Sequence, residues 1–122
     1  MARFRISAAA RKDLHDILAT SLQRWGDQGR ERYAALLAAA WRAIARAPAG
    51  SGTRDRGDLE SGIRSLPIKH VRADEPVRDP VHVIFYRAAG STIAIARVLH
   101  ERMEPRLHVA TPKLGTKRRP RK

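Results

Sequence analysis

Near the amino terminus Phe4 and Ile6 alternate with Arg3, Arg5 and Ser7, a period of two that predicts one short strand with its apolar side toward a core. The period then lengthens. Ala10, Leu14, Ile17, Leu18, Leu22 and Trp25 recur at helical spacing behind Ser7, whose hydroxyl is suited to capping the first turn. Gly26 predicts the end of that helix, because glycine reaches a left-handed terminal conformation without a side-chain penalty. Asp27 is placed to cap a second helix with Tyr33, Leu37, Ala40, Trp41 and Ile44 on its apolar face, and Pro48 and Gly50 stop it. The short connector from Gly26 to Gly29 predicts a close antiparallel hairpin. Deep burial of Trp25 or Trp41 would make its replacement by alanine cost about 3–5 kcal/mol.

From Ala49 to Gly62 the chain is polar and glycine-rich, which predicts a loop. Ile63, Leu66 and Ile68 predict a strand in which Pro67, lacking an amide donor, marks an edge or a bulge. Arg64 and Lys69 are expected near its solvent side. A second polar interruption, Arg72 to Pro80, precedes a stronger strand from Val81 to Arg87, a tight Ala88-Ala89-Gly90 turn, and a third consecutive strand from Thr92 to Leu99. Strict alternation puts Ile93, Ile95 and Leu99 on one face of that last strand and Ala94, Ala96 and Val98 on the other. Apolar groups on both faces imply an internal strand, or one whose second face a partner completes. No internal repeat is present. The pattern predicts an α+β fold: an N-terminal strand and a two-helix antiparallel hairpin packed on a small, mainly antiparallel four-stranded sheet. One domain is expected over residues 1–112, followed by a basic, disordered tail at 113–122.

Charge adds a direction to this picture. The 122 residues carry 25 Lys and Arg against 12 Asp and Glu, a net charge of +13 that attracts polyanions, whether nucleic acid or an acidic protein. Cysteine is absent, which removes disulfides, thiolate nucleophiles and cysteine-bound metal, and fits a reducing compartment. The amino terminus lacks a continuous apolar segment for secretion or membrane crossing, so a soluble cytoplasmic protein without a membrane partner is expected.

The joint pattern of Arg5-Ile6-Ser7 with Ala10 and Leu14, Trp25-Gly26, Tyr33, Gly62-Ile63-Arg64-Ser65-Leu66-Pro67, Ile84-Phe85-Tyr86-Arg87 and Arg97-Val98-Leu99-His100 resembles the RelE/ParE family of bacterial type II toxins. It looks closest to the ParE-like branch and covers about residues 3 to 105. The resemblance implies a small toxin neutralised by a cognate antitoxin encoded alongside it. ParE-like members are associated with poisoning DNA gyrase, whereas RelE-like members cleave mRNA in the ribosomal decoding site. Fold alone does not choose between those activities.

RNA cleavage requires a base for the 2′-hydroxyl, a proton donor for the leaving oxygen, and cations for the charge built up at phosphorus. Arg64, Lys69, Arg72, Arg87 and Arg102 supply charge, Tyr86 or His100 can move a proton, and His82 adds a polar group. The nuclease candidates are therefore Tyr86, Arg87 and His100, but the terminal tyrosine or histidine of the RNA-cleaving relatives has no counterpart here. The residues expected to contact target or antitoxin are Arg64, Lys69, Arg72, Arg87, His100 and Arg102. Structural roles compete with these: Arg87 and Arg97 can satisfy carbonyls or pair with carboxylates, and Tyr86 can close the core. Asp74, Glu75 and Asp79 suit local pairing with arginines, and neither a metal site nor a cofactor is expected. The basic tail is either a tether to DNA phosphate or a solubilising run. The resemblance favours inhibition of DNA gyrase, as a gyrase–DNA complex, through protein contacts and without bond cleavage by the toxin. The alternatives are a ribosome-dependent mRNA endoribonuclease, or an inactive homologue that binds antitoxin or nucleic acid.

Overall fold

The computed structural model describes residues 3–74, 76–77 and 79–109. The expected basic tail and Glu75 lie outside the described residues. In chain order the elements are β1 (Arg3–Ile6), α1 (Ala8–Arg46), β2 (Arg54–Asp55), β3 (Ile63–Pro67), a 3₁₀ turn (Ile68–His70), β4 (His82–Ala89), β5 (Thr92–His100) and a second 3₁₀ turn (Pro105–Leu107).

Ser7 caps α1 as its sequence position suggests, with Oγ accepting from the Ala10 amide at 2.9 Å. Gly26, at φ 76° and ψ −171°, is the non-helical residue inside the span and divides α1 into two arms. The expected connector thus shrinks to a single residue. Asp27 is already helical and does not make the expected cap; Gly26 occupies the break because its positive φ is strained for any side-chain-bearing residue. Close by, Gly29 lets the second arm approach Trp25: a Cβ on Gly29 would lie 2.2 Å from the Trp25 Cβ. Trp25 stacks on Tyr33 with ring centroids 6.4 Å apart. Trp25 and Trp41 are both only half-buried, so the deep burial that would cost 3–5 kcal/mol on truncation is not realised.

The strand order is β1-β5-β4-β3-β2, with β1 parallel to β5 and the other neighbours antiparallel. Four strands are those expected; the fifth, β2, is a two-residue strand inside the predicted loop and pairs Arg54 with Ser65 and Asp55 with Arg64. Two residues carry no readable period, which is why the sequence pattern does not reveal it. β4 and β5 run further into their turn than expected. Ala89 pairs with Thr92, leaving Gly90 and Ser91 as a two-residue turn with positive φ only at Gly90, as a type II′ hairpin requires.

A bulge corrects the predicted faces of β5. Tyr86 pairs with Ile95 and Ile84 with Val98, so Ala96 and Arg97 together oppose Phe85. The extra residue reverses the alternation. Val98 therefore joins Ile93 and Ile95 in the cluster under the helical arms, with Ala10, Ile17, Leu36, Leu37, Ala40, Ile44, Leu66, Ile84 and Tyr86. Leu99 joins Phe85, Ile63, Leu59 and Val109 in a smaller cluster. β5 is internal, between β1 and β4.

Gly29→Ala is expected to destabilise the fold by about 1–3 kcal/mol through overpacking against Trp25. Chemical denaturation checks this, and a loss below about 0.5 kcal/mol, the range of ordinary surface substitutions, would refute the close approach.

Candidate functional site

The fold distributes the candidate residues over four places. Arg64 and Tyr86 are cross-strand partners on the helix-facing side of the sheet. The Tyr86 ring is fully buried, and its hydroxyl donates to the Pro48 carbonyl at 2.5 Å. Arg64 Nη2 donates to Thr53 Oγ1 at 2.9 Å, while its Nε is buried without a hydrogen-bond partner. Burial pushes the Tyr86 phenol up, against the opposing effect of the Arg64 guanidinium.

Arg87, next along β4, points away from Tyr86 by strand alternation. Its Nη2 donates to the Ser61 carbonyl at 2.9 Å and lies 3.4 Å from Glu60 Oε2. The guanidinium thus ties β4 to the loop before β3. Gly62 keeps the approach open, since a Cβ there would meet Arg87 Nε at 3.1 Å.

A third group gathers where β4 begins and β5 ends. His82 pairs with His100 across the ladder, with ring centroids 5.7 Å apart. His100 Nδ1 accepts the Arg102 amide at 3.0 Å, and Lys69 reaches Glu101 at 3.5 Å. Tyr33 comes from α1 to meet His82 Nδ1 at 2.6 Å. Burial raises the Tyr33 phenol to about 12, so the hydroxyl keeps its proton in this contact. Burial, reinforced by the nearby His100, lowers His82 to about 4. His82 thus meets His100, while Lys69, through Glu101, and Arg102, through its amide to His100, join the same end of the hairpin. His82 entered the sequence reading only as an additional polar group, and Tyr33 only as an apolar face residue. A Tyr-to-His distance of 49 positions leaves no local signal that they meet.

Arg72 is the fourth place, on the cleft beside the second arm of α1 with Arg42 and His70. Arg42 and Arg46 were not singled out from sequence; their i,i+4 spacing on the polar side of the arm was the available signal.

Arg97, the charged residue within an apolar strand, is held by Asp13: Nε and Nη2 each donate at 2.8 Å to the two carboxylate oxygens. Asp13 Oδ2 also accepts the Val98 amide at 2.9 Å. Burial raises the Asp13 carboxyl, but the hydrogen bonds from Arg97 and Val98 outweigh it and hold the group below the usual carboxylate range. Asp74 and Asp79 are exposed, and no cluster of three metal-ligating side chains occurs among the described residues. No described helix is long and apolar enough to cross a membrane.

The strand, the split helix and the mixed five-stranded sheet together define a RelE/ParE toxin-like α+β fold. A sequence profile for the "ParE toxin of type II toxin-antitoxin system, parDE" matches residues 4–105, and the chain belongs to that family, in the ParE-like branch of the RelE/ParE toxins. It is 37% identical over 109 residues to Toxin ParE1 of Caulobacter vibrioides, covering 89% of this chain and 99% of that protein. Among solved structures it is similar to one described as the chromosomal ParDE TA system from P. aeruginosa, with a TM-score of 0.59, 17% identity, and coverage of 82% of this chain and 96% of that one. At that identity the structural match speaks for the fold.

Two outcomes follow from the buried polar groups. Asp13→Ala should cost about 3 kcal/mol, because it strands a largely buried guanidinium and the Val98 amide; a urea titration showing less than about 1 kcal/mol would contradict the linkage. His82 has a folded pKa below its unfolded value, so between pH 6.5 and about 4 the unfolded chain binds the extra proton. Its contribution is present above pH 6.5 and is lost on acidification, by at most about 3 kcal/mol. Imidazole proton shifts should titrate with a midpoint near 4, and a midpoint at 6 or above would rule out the buried neutral form.

Proposed function

We propose that this chain is the toxin of a type II toxin–antitoxin pair, that a cognate antitoxin neutralises it, and that its target is DNA gyrase, engaged through protein contacts that stabilise the cleaved gyrase–DNA state. The observation that carries the reading is the 37% identity spanning 99% of Toxin ParE1. The placement of the three nuclease candidates supports it. Tyr86 is sealed under the helical arms and Arg87 is engaged with Ser61 and Glu60. His100 pairs with His82, four residues from Tyr86 along β4, a separation of roughly 13 Å along the strand. General acid–base chemistry needs its groups within hydrogen-bond reach of one reacting centre, and these three do not share one.

A neutralising partner has a physical motive. An acidic segment of an antitoxin would satisfy the cationic surface, and its apolar side chains would cover the exposed Leu22, Met103 and Leu107. Lys69, His100 and Arg102, clustered at the β4–β5 end, are the candidate target contacts, and the domain that makes them is assigned to residues 1–112.

Controlled expression tested in parallel on gyrase and on ribosomes separates the readings. The expected result is accumulation of gyrase-linked DNA breaks, relieved by co-expression of the antitoxin, with no transcript cleavage on programmed ribosomes. Ribosome-dependent transcript cleavage that disappears in a folded His100→Ala variant would replace the proposal with the endoribonuclease reading. Absence of both activities from folded protein would favour a binding homologue.

A further inference from the structure

The cleft between the last turns of α1 and the 3₁₀ turn after β3 has an electrostatic character that the gyrase reading does not use. It is a depression of about 440 Å³ whose rim carries Arg42, Arg46, His70 and Arg72, all exposed. Among the described residues no carboxylate lines it. Four arginines elsewhere are ion-paired: Arg56 with Asp58, Arg87 with Glu60, Arg97 with Asp13, and Arg106 with Asp58 and Glu104. Among the described residues none of Arg42, Arg46 and Arg72 is paired with a carboxylate. Three unneutralised guanidinium groups facing one depression repel each other, and a bound anion is what relieves that repulsion.

We propose that this cleft is a docking site for the phosphodiester backbone of nucleic acid. Arg42 and Arg46, four residues apart, are separated by about 6 Å along the helix axis on one face of α1, and Arg72 approaches from across the depression. Guanidinium forks grip phosphate oxygens in a bidentate way, and His70 adds a ring N–H donor. The floor distinguishes this ligand from a protein. Ala39, Ala43, Ala47 and Gly50 leave the surface shallow, Leu66 is buried beneath it, and among the described residues no aromatic ring lines it, whereas protein hot spots are enriched in Trp and Tyr set in pockets. Small floor residues let a sugar–phosphate chain lie close to the helix, and the contacts are to backbone, so binding carries no sequence preference. The next depression along the arm shares Arg42 and Arg72 with this one and adds Arg32, Glu31 and Asp74, so carboxylates first enter the surface on that side.

The test uses the full chain and a labelled mixed-sequence duplex, with no gyrase, so its result is independent of the target reading. Anisotropy is measured across about 50 to 200 mM salt for the unaltered chain, for the Arg42→Gln, Arg46→Gln, Arg72→Gln triple, and for a control triple, Arg5→Gln, Arg11→Gln, Arg30→Gln, of equal charge. The slope of log affinity against log salt should fall by about 2–3 in the cleft triple and by less than about 1 in the control. Equal losses in both triples, or no loss in the cleft triple, would overturn the site and leave binding to the overall charge and the basic tail. Retained duplex binding with lost binding of poly-glutamate would overturn it in favour of an acidic protein partner. Circular dichroism and melting verify folding. Should the cleft triple unfold, Ser51→Glu sets a carboxylate on the rim with every arginine kept; it should weaken duplex binding about tenfold at the lowest salt, and unchanged affinity refutes the proposal.

Discussion

The contact on which the rest of the structure depends is the grip of Asp13 on the bulge in β5. A bulge leaves backbone groups without ladder partners, and in a buried strand such groups are costly. Here α1 supplies the missing partners. Asp13 takes the Val98 amide and both arms of the Arg97 guanidinium, while the Ser7 hydroxyl donates to the Ala96 carbonyl at 2.8 Å. The same Ser7 oxygen caps the helix. The start of α1 and the irregular point of the sheet are therefore satisfied together.

What the bulge achieves is a division of apolar side chains between two faces. Without the extra residue, Val98 would turn away from the helical arms and Leu99 toward them, since a one-residue shift exchanges the faces of a strand. With it, Ile93, Ile95 and Val98 line up under Ala10, Leu37 and Ile44, and Leu99 meets Phe85 and Ile63 on the other side. The half-buried Arg97–Asp13 pair joins the first arm of α1 to the bulge and so registers helix against strand.

Charge is arranged unevenly over this frame. Carboxylates pair with Arg56, Arg87 and Arg97 at Asp58, Glu60 and Asp13, while among the described residues Arg42 and Arg46 on the second arm of α1, and Arg72 beside it, have no carboxylate partner. The Tyr33–His82–His100 group lies at the end of the β4–β5 hairpin, where burial keeps one imidazole neutral beneath the exposed Lys69–Glu101 pair. A basic protein of this size thus presents two distinct polar surfaces, one densely hydrogen-bonded and one electrostatically open.

By itself, the sequence determined the elements and the family. Period-two and period-3.6 spacing, the Gly26 break and the Gly90 turn are local properties, and each is set by backbone sterics within a few residues. The joint pattern from Arg5 to His100 was enough to indicate a ParE-like toxin. Only the tertiary structure decided the rest: the two-residue β2, the exchange of Val98 and Leu99 between faces, the meeting of Tyr33 with His82, and the dispersal of Tyr86, Arg87 and His100. The physical reason is common to all of these. A two-residue strand and a bulge exist because distant groups satisfy them, Asp13 lying 84 positions from Arg97 and Tyr33 lying 49 from His82, and such partners leave no trace in local spacing.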